Sequence, residues 1–130
     1  MPQVRMREAA RLLGVSDDTV RRWAESGRLA TSLDAAGRQA VEGAELAALA
    51  VELADAPEAR GVSARNTLPG IVTRVLKDGV MAQVELQAGP HRVVSLMSRE
   101  AADELGLEVG VFATASVKAT QVVVERRGRA

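Results

Sequence analysis

The chain has 130 residues, enough for one ordinary domain or two small ones, and its 17 basic and 17 acidic residues leave a net charge of zero. That balance excludes a protein that coats polyanions over its whole surface, and one Trp, one Phe and no Tyr exclude aromatic stacking platforms for single strands. The absence of Cys excludes disulfides, thiolate catalysis and Cys-ligated zinc, while one His and scattered carboxylates offer no metal cluster.

Within residues 3 to 13, Met6, Ala9, Ala10 and Leu13 fall at helical spacing and predict a helix with a narrow apolar stripe. Gly14 ends it and permits a sharp turn, Val15 plugs the gap, and Ser16 caps a second helix whose first turn holds Asp17 and Asp18. Val20, Trp23 and Ala24 give that helix its buried side, with Thr19, Arg21 and Arg22 outward, and Gly27 stops it. Leu29 to Leu33 and Arg38 to Val41, joined by Asp34-Ala35-Ala36-Gly37, read as a two-stranded wing. Gly43 then opens an Ala-rich helix reaching about Ala54.

An apolar helix, a Gly-centred turn and a capped helix with outward arginines make a helix-turn-helix pattern. Its stretches Arg-Glu-Ala-Ala-Arg-Leu-Leu-Gly-Val-Ser at 7 to 16, Thr-Val-Arg-Arg-Trp at 19 to 23 and Gly-Arg-Leu at 27 to 29 resemble the winged DNA-binding domain of the MerR and excisionase family. The resemblance implies double-stranded DNA as partner, with Ser16, Thr19, Arg21, Arg22, Arg28 and Arg38 as candidate contacts. Charge placement agrees: residues 5 to 38 hold seven Arg against five acids, whereas residues 39 to 56 hold four acids and no base. Asp17 and Asp18 repel phosphate but can accept from a cytosine amino group. The competing reading makes these arginines ordinary solvated charges on a helical protein–protein module. One such domain offers too small a surface for tight site-specific binding, which implies dimerisation through another part of the chain.

Residues 55–61, with Pro57 and Gly61 and little apolar periodicity, read as a linker between a domain at 1–54 and a second at 62–125; a basic tail, 126–130, follows. In the second domain Pro69-Gly70 punctuates, Ile71 to Leu76 reads as a strand, and Asp78-Gly79 is a hairpin signal. The return strand alternates, with Val80, Ala82, Val84 and Leu86 on one face and Met81, Gln83, Glu85 and Gln87 on the other. His91 to Met97 is a third strand, Ser98 caps a short helix that Gly106 closes, Val111 to Val117 is a fourth strand and Gln121 to Glu125 a fifth. The expected architecture is therefore α+β in two domains: a winged helix-turn-helix, then a five-stranded β-barrel of the oligonucleotide/oligosaccharide-binding (OB) type.

Two donor clusters flank that second domain, Ser63-Ala64-Arg65-Asn66 and Lys118-Ala119-Thr120. Brought together by barrel closure or across a subunit interface, they would make a pocket rich in donors and free of carboxylate, suited to a small dianion. The blocks Ser-Ala-Arg-Asn-Thr-Leu-Pro-Gly at 63 to 70, Glu-Leu-Gly-Leu-Glu-Val-Gly at 104 to 110 and Val-Lys-Ala-Thr-Gln-Val-Val-Val at 117 to 124 resemble the molbindin (Mop) or TOBE domain. The resemblance implies molybdate or tungstate as ligand, held between subunits of an oligomer, a hexamer or a dimer. It carries the role onto Ser63, Arg65, Lys118 and Thr120, with Ser98 as a further hydroxyl. The competing reading is a structural barrel whose Arg65 and Lys118 pair with Glu85, Glu104 or Glu108. His91, beside Pro90, reads as surface decoration and Met81 and Met97 as core or interface filler.

The function expected from these parts is a molybdate-responsive DNA-binding regulator. An intracellular molybdate store, and a DNA-binding protein whose barrel only oligomerises, stand beside it. No nucleophile–base pair or carboxylate dyad points to an enzyme. The chain has no long apolar run and no signal peptide, so a cytoplasmic location without membrane attachment is expected.

Overall fold

The computed structural model describes residues 2–54 and 61–127. The chain divides into two compact units, Met1–Ala56 and Pro57–Ala130. Apart from Gly61 the expected linker lies outside the described residues, as do the last three residues of the basic tail.

The first unit runs β1 (Gln3–Arg5), α1 (Met6–Leu13), α2 (Asp17–Glu25), β2 (Thr31–Leu33), β3 (Gln39–Glu42) and α3 (Gly43–Leu53). Gly14 adopts φ 70° at the end of α1, and the Ser16 side chain accepts from the Thr19 amide at 3.1 Å to cap α2. Ala9 and Ala10 are fully buried with Val20, Leu29, Val41, Leu46 and Leu49, so small side chains let the helices approach closely around one core. The wing forms as β2 and β3, paired antiparallel with Leu33 opposite Gln39. Leu29, expected in the wing, is instead a core residue. Sequence periodicity did not anticipate β1, which pairs with β3, Gln3 opposite Glu42 and Arg5 opposite Ala40. Three residues are too few for a period-2 pattern, and this strand exists only because β3 offers an edge.

The second unit comprises β4 (Asn66–Lys77), β5 (Met81–Ala88), β6 (His91–Ser98), α4 (Arg99–Glu104), β7 (Phe112–Val117) and a 3-10 turn at Ala119–Gln121. Its sheet has the order β6-β5-β4-β7, all antiparallel. Strand β4 serves two neighbours in turn: Asn66 to Ile71 pair with β7, and Ile71 to Lys77 pair with β5. Pro69-Gly70 therefore does not interrupt the strand, contrary to its reading as punctuation. Pro69 sits opposite Thr114 on β7, and Gly70 passes so close to β5 that a Cβ there would lie 2.5 Å from the Gln87 carbonyl oxygen. A side-chain-free residue is what lets one long strand curl across both partners. The inner face buries Val72, Val84 and Leu86, with Val75, Val93, Met97, Leu107 and Val111 against them.

The β4–β5 turn is organised by Asp78, whose Oδ1 accepts from the amides of Val80 and Met81, both at 2.7 Å. These bonds, Met81's first, hold its carboxyl below the ordinary carboxylate range. The return strand begins at Met81 rather than Val80, and Ala82, Val84, Leu86 and Ala88 are the inward positions. Glu85, expected outward, does point away from the core yet is only 5% exposed. Arg92 at 2.5 Å and Arg74 at 3.6 Å, from the two flanking strands, close over it.

The five-stranded barrel is not formed by the described residues, which give the second unit four strands in a curled sheet. The expected fifth, Gln121 to Glu125, begins in the 3-10 turn, and Val123 and Val124 are 86% and 87% exposed without a strand partner. A strand needs an edge to pair with, and the turn after β7 carries this segment away from its own sheet. No helix of the described residues is long and apolar enough to cross a membrane.

Gly70→Ala is expected to destabilise the second unit by about 1–3 kcal/mol, because the clashing atom is backbone and cannot rotate away. In a urea titration followed by circular dichroism the midpoint should fall with an unchanged slope. An unaltered midpoint would mean that β4 does not need this close approach.

Candidate functional site

The register of β4 on β7 decides where the two donor clusters lie. Asn66 is paired with Val117, so Ser63 to Arg65 run into the ladder where Lys118 to Thr120 leave it. Asn66 fastens this end: its Nδ2 donates to the Val117 carbonyl at 3.1 Å. Clusters more than fifty residues apart in sequence thus become neighbours at one end of one strand pair. Lys118 is extended and precedes the 3-10 turn, whose closing bond runs from the Gln121 amide to the Lys118 carbonyl at 2.9 Å.

Ser63, Arg65, Lys118, Ala119 and Thr120 are exposed, and Ala64 and Asn66 are half-buried. Arg65 Nη1 donates to the Val62 carbonyl at 3.2 Å, which orients the guanidinium while leaving most of its donors available. Neither Arg65 nor Lys118 forms an ion pair among the described residues, and Glu85 is held by Arg74 and Arg92. The structural-barrel alternative pairs these cations with Glu85, Glu104 or Glu108, and none of those ion pairs is formed among the described residues. Two cations and two hydroxyls beside a backbone turn can replace part of the hydration shell of a small anion.

Ser98 lies elsewhere in the chain. It ends β6, opposite Met81, at the other edge of the sheet, and its Oγ accepts from the Ala101 amide at 3.0 Å as the cap of α4. Within one chain the fold does not bring it to Arg65 and Lys118. His91 is exposed at the start of β6, Met97 packs on the core and Met81 is exposed.

In the first unit, α2 presents Thr19 with its hydroxyl 2.9 Å from Ser16 Oγ and 3.3 Å from Arg22 Nη2. Arg21 Nη1 lies 3.4 Å from Asp18 Oδ1. Arg28 pairs with Glu52 of α3 at 3.3 Å, and its guanidinium carbon stands 5.0 Å from the centre of the Trp23 ring. Through the Trp23 ring on one side and Glu52 on the other, Arg28 ties the end of α2 to α3, a role that sequence reasoning missed because Glu52 is 24 residues away. The Arg74–Glu85–Arg92 cluster was missed for the same reason: three strands supply one residue each.

The wing turn is built by Asp34. Its Oδ1 accepts from the amides of Ala36 and Arg38, both at 2.9 Å, while its own amide donates to the Arg38 carbonyl at 2.8 Å. The Arg38 amide does most to hold the Asp34 carboxyl below its ordinary range; the Ala36 amide and the charges of Arg38 and Arg5 add to this, and partial desolvation opposes it. A lowered folded pKa means that the turn is fully supported above the ordinary carboxylate value and loosens as pH falls through the lowered one. The amide shifts of Ala36 and Arg38 should follow that single acidic titration in NMR spectra. Asp34→Ala should abolish it, and its persistence in that variant would assign the shifts to another group.

Comparison with known proteins matches residues 62–124 to the TOBE domain and residues 5–48 to a helix-turn-helix domain. Over 64 residues, 48% of this chain, the sequence is 41% identical to molybdenum-pterin-binding protein 2 of Clostridium pasteurianum, covering 94% of that protein. A probable molybdenum-pterin-binding protein of Haemophilus influenzae is 44% identical over 64 residues, covering 48% of this chain and 93% of its own length. A solved molybdate binding protein from Sporomusa ovata is 31% identical, covers 50% of this chain and 97% of its own, and superposes with a TM-score of 0.48.

Proposed function

The chain belongs, through the TOBE domain at residues 62–124, to the family of the molybdenum-pterin-binding proteins, and on that premise we propose that it is a molybdate-binding, DNA-binding regulator. The observation that supports the ligand half is the β4–β7 register, which brings the segments of Arg65 and Lys118 to the same end of one strand pair, neither side chain having a carboxylate partner among the described residues. In this reading Arg65 and Lys118 supply most of the attraction, and Ser63, Thr120 and the backbone around Ala64 and Ala119 complete one wall of a cage. Asn66 is a positioning residue, since its amide is engaged by Val117.

A cage of donors alone favours a fully deprotonated dianion. Molybdate and tungstate meet that requirement, sulfate meets it with a smaller radius, and phosphate at neutral pH carries a proton that needs an acceptor. The open side of the wall calls for a second copy of the chain, which could also bring Ser98. Two surface features support self-association. The exposed Val122–Val124 run has no strand partner among the described residues, and a groove of about 520 Å³ along Pro69, Gly70, Ile71 and Phe112 leaves the only phenylalanine 84% exposed. Either a dimer or a hexamer would pair helix-turn-helix units and enlarge their contact with DNA. Thr19, Arg22 and Arg38 are the contacts we assign to the recognition helix and wing. Binding, not catalysis, is the activity proposed, and the cytoplasm is the compartment.

A molybdate store is the second reading. It is favoured by relatives that consist almost wholly of the matching half. Titration calorimetry separates the ligand question from the regulatory one. Tight molybdate binding is expected for the parent and at least tenfold weaker binding for Arg65→Ala and Lys118→Ala, with no competition from phosphate. Equal competition by phosphate would reject the donor cage. Gel shifts with and without saturating molybdate then test the regulator: an unchanged DNA affinity and stoichiometry rejects it. Removing residues 122–130 should lower the mass found by sedimentation, and a retained mass would place the subunit contact elsewhere.

A further inference from the structure

The arginines of the first unit differ in what already holds them. Arg21 stands against Asp18, so that pair presents little net charge to a polyanion. Arg28 is occupied by Glu52 and Trp23. Arg22 is held by the neutral hydroxyl of Thr19 and keeps its charge. The side chains of Arg7 and Arg11 form no hydrogen bond or ion pair among the described residues. Both are exposed on α1, turned away from the buried Ala9 and Ala10. Four residues apart, they lie about 6 Å apart along the helix axis, within reach of neighbouring phosphates on one strand. Glu8, on the same helix, lines the groove that also includes Arg5 and Asp34. In a helix-turn-helix the first helix crosses the sugar–phosphate backbone, where charge positions the protein without reading sequence.

We propose that Arg7 and Arg11 form a phosphate clamp on α1, and that this clamp, rather than Arg21 or Arg28, joins Arg22 and Arg38 in supplying the charge that holds duplex DNA. The proposal rests on the DNA-binding reading of the helix-turn-helix half and adds residues that neither the recognition helix nor the wing contains. A bare count of charges treats all seven arginines of residues 5 to 38 alike. Their contacts separate those available to phosphate from those committed within the fold.

The test is the salt dependence of binding to a mixed-sequence duplex, read by fluorescence anisotropy. Each phosphate contact contributes about 0.9 to the slope of log affinity against log salt. Arg7→Ala/Arg11→Ala should flatten the slope by nearly two units, so that raising salt from about 50 to 200 mM weakens the variant about tenfold less than the parent. Asp18→Ala/Arg21→Ala removes a neutral pair and should keep the parent slope. Arg28→Ala should also keep it while melting at lower temperature, since its contacts to Glu52 and Trp23 are lost. Alanine suits an exposed helix position. If the double variant nevertheless melts early, Arg7→Gln/Arg11→Gln keeps the stems and carries the same test. A parent-like slope in both neutral double variants overturns the clamp alone. A parent that binds no duplex at low salt overturns the DNA reading and the clamp with it.

Discussion

The pairing of Asn66 with Val117 is the contact on which the second unit's chemistry depends. A small dianion is strongly hydrated, and a single exposed cation does not displace that water. Two cations with adjacent hydroxyls can, provided they are already held together before the ligand arrives. The β4–β7 ladder brings the two donor segments to one end with backbone hydrogen bonds, so the side chains proposed to meet the ligand need not hold the fold. The side-chain bond from Asn66 to the Val117 carbonyl adds roughly 1 kcal/mol at the end of the ladder that would otherwise fray first.

The first unit uses charge differently. Its opposed pairs are exposed and individually worth little, about 0–1 kcal/mol. They matter because they decide which guanidiniums remain unpaired. Asp18 and Glu52 withdraw Arg21 and Arg28 from the surface field, and Asp34 stiffens the wing turn with its carboxylate. A chain of zero net charge can in this way keep a locally basic face.

Much of this was legible in the residues alone. Gly14 and Ser16 announced the helix junction, and both act as read, one by a left-handed φ and one by its side-chain oxygen. The inward set of β5 followed from its alternation. The failures have a common cause: each feature depends on a partner distant in the chain. Strand β1 exists because β3 has an edge, and Glu85 is buried because Arg74 and Arg92 flank it. Pro69-Gly70 continues a strand because Gln87 lies against it. Val122 to Val124 have the composition of a strand but lack an edge in their own sheet. The adjacency of the donor clusters required the β4–β7 register, which no local pattern encodes.

The sharing of β4 between two neighbours also orders the unit in time. Its pairing with β5 is a local hairpin closed across a three-residue turn, whereas its pairing with β7 closes a loop in which Asn66 and Val117 are 51 residues apart. Closing the longer loop carries the greater entropy cost and is repaid only after the hairpin and β6 have collapsed. Loop-closure entropy thus favours forming the donor-cluster end of β4–β7 after the hairpin. Under the proposed reading, an anion bound at this end would stabilise the native state by mass action, so that ligand concentration would also set how long the ladder stays shut.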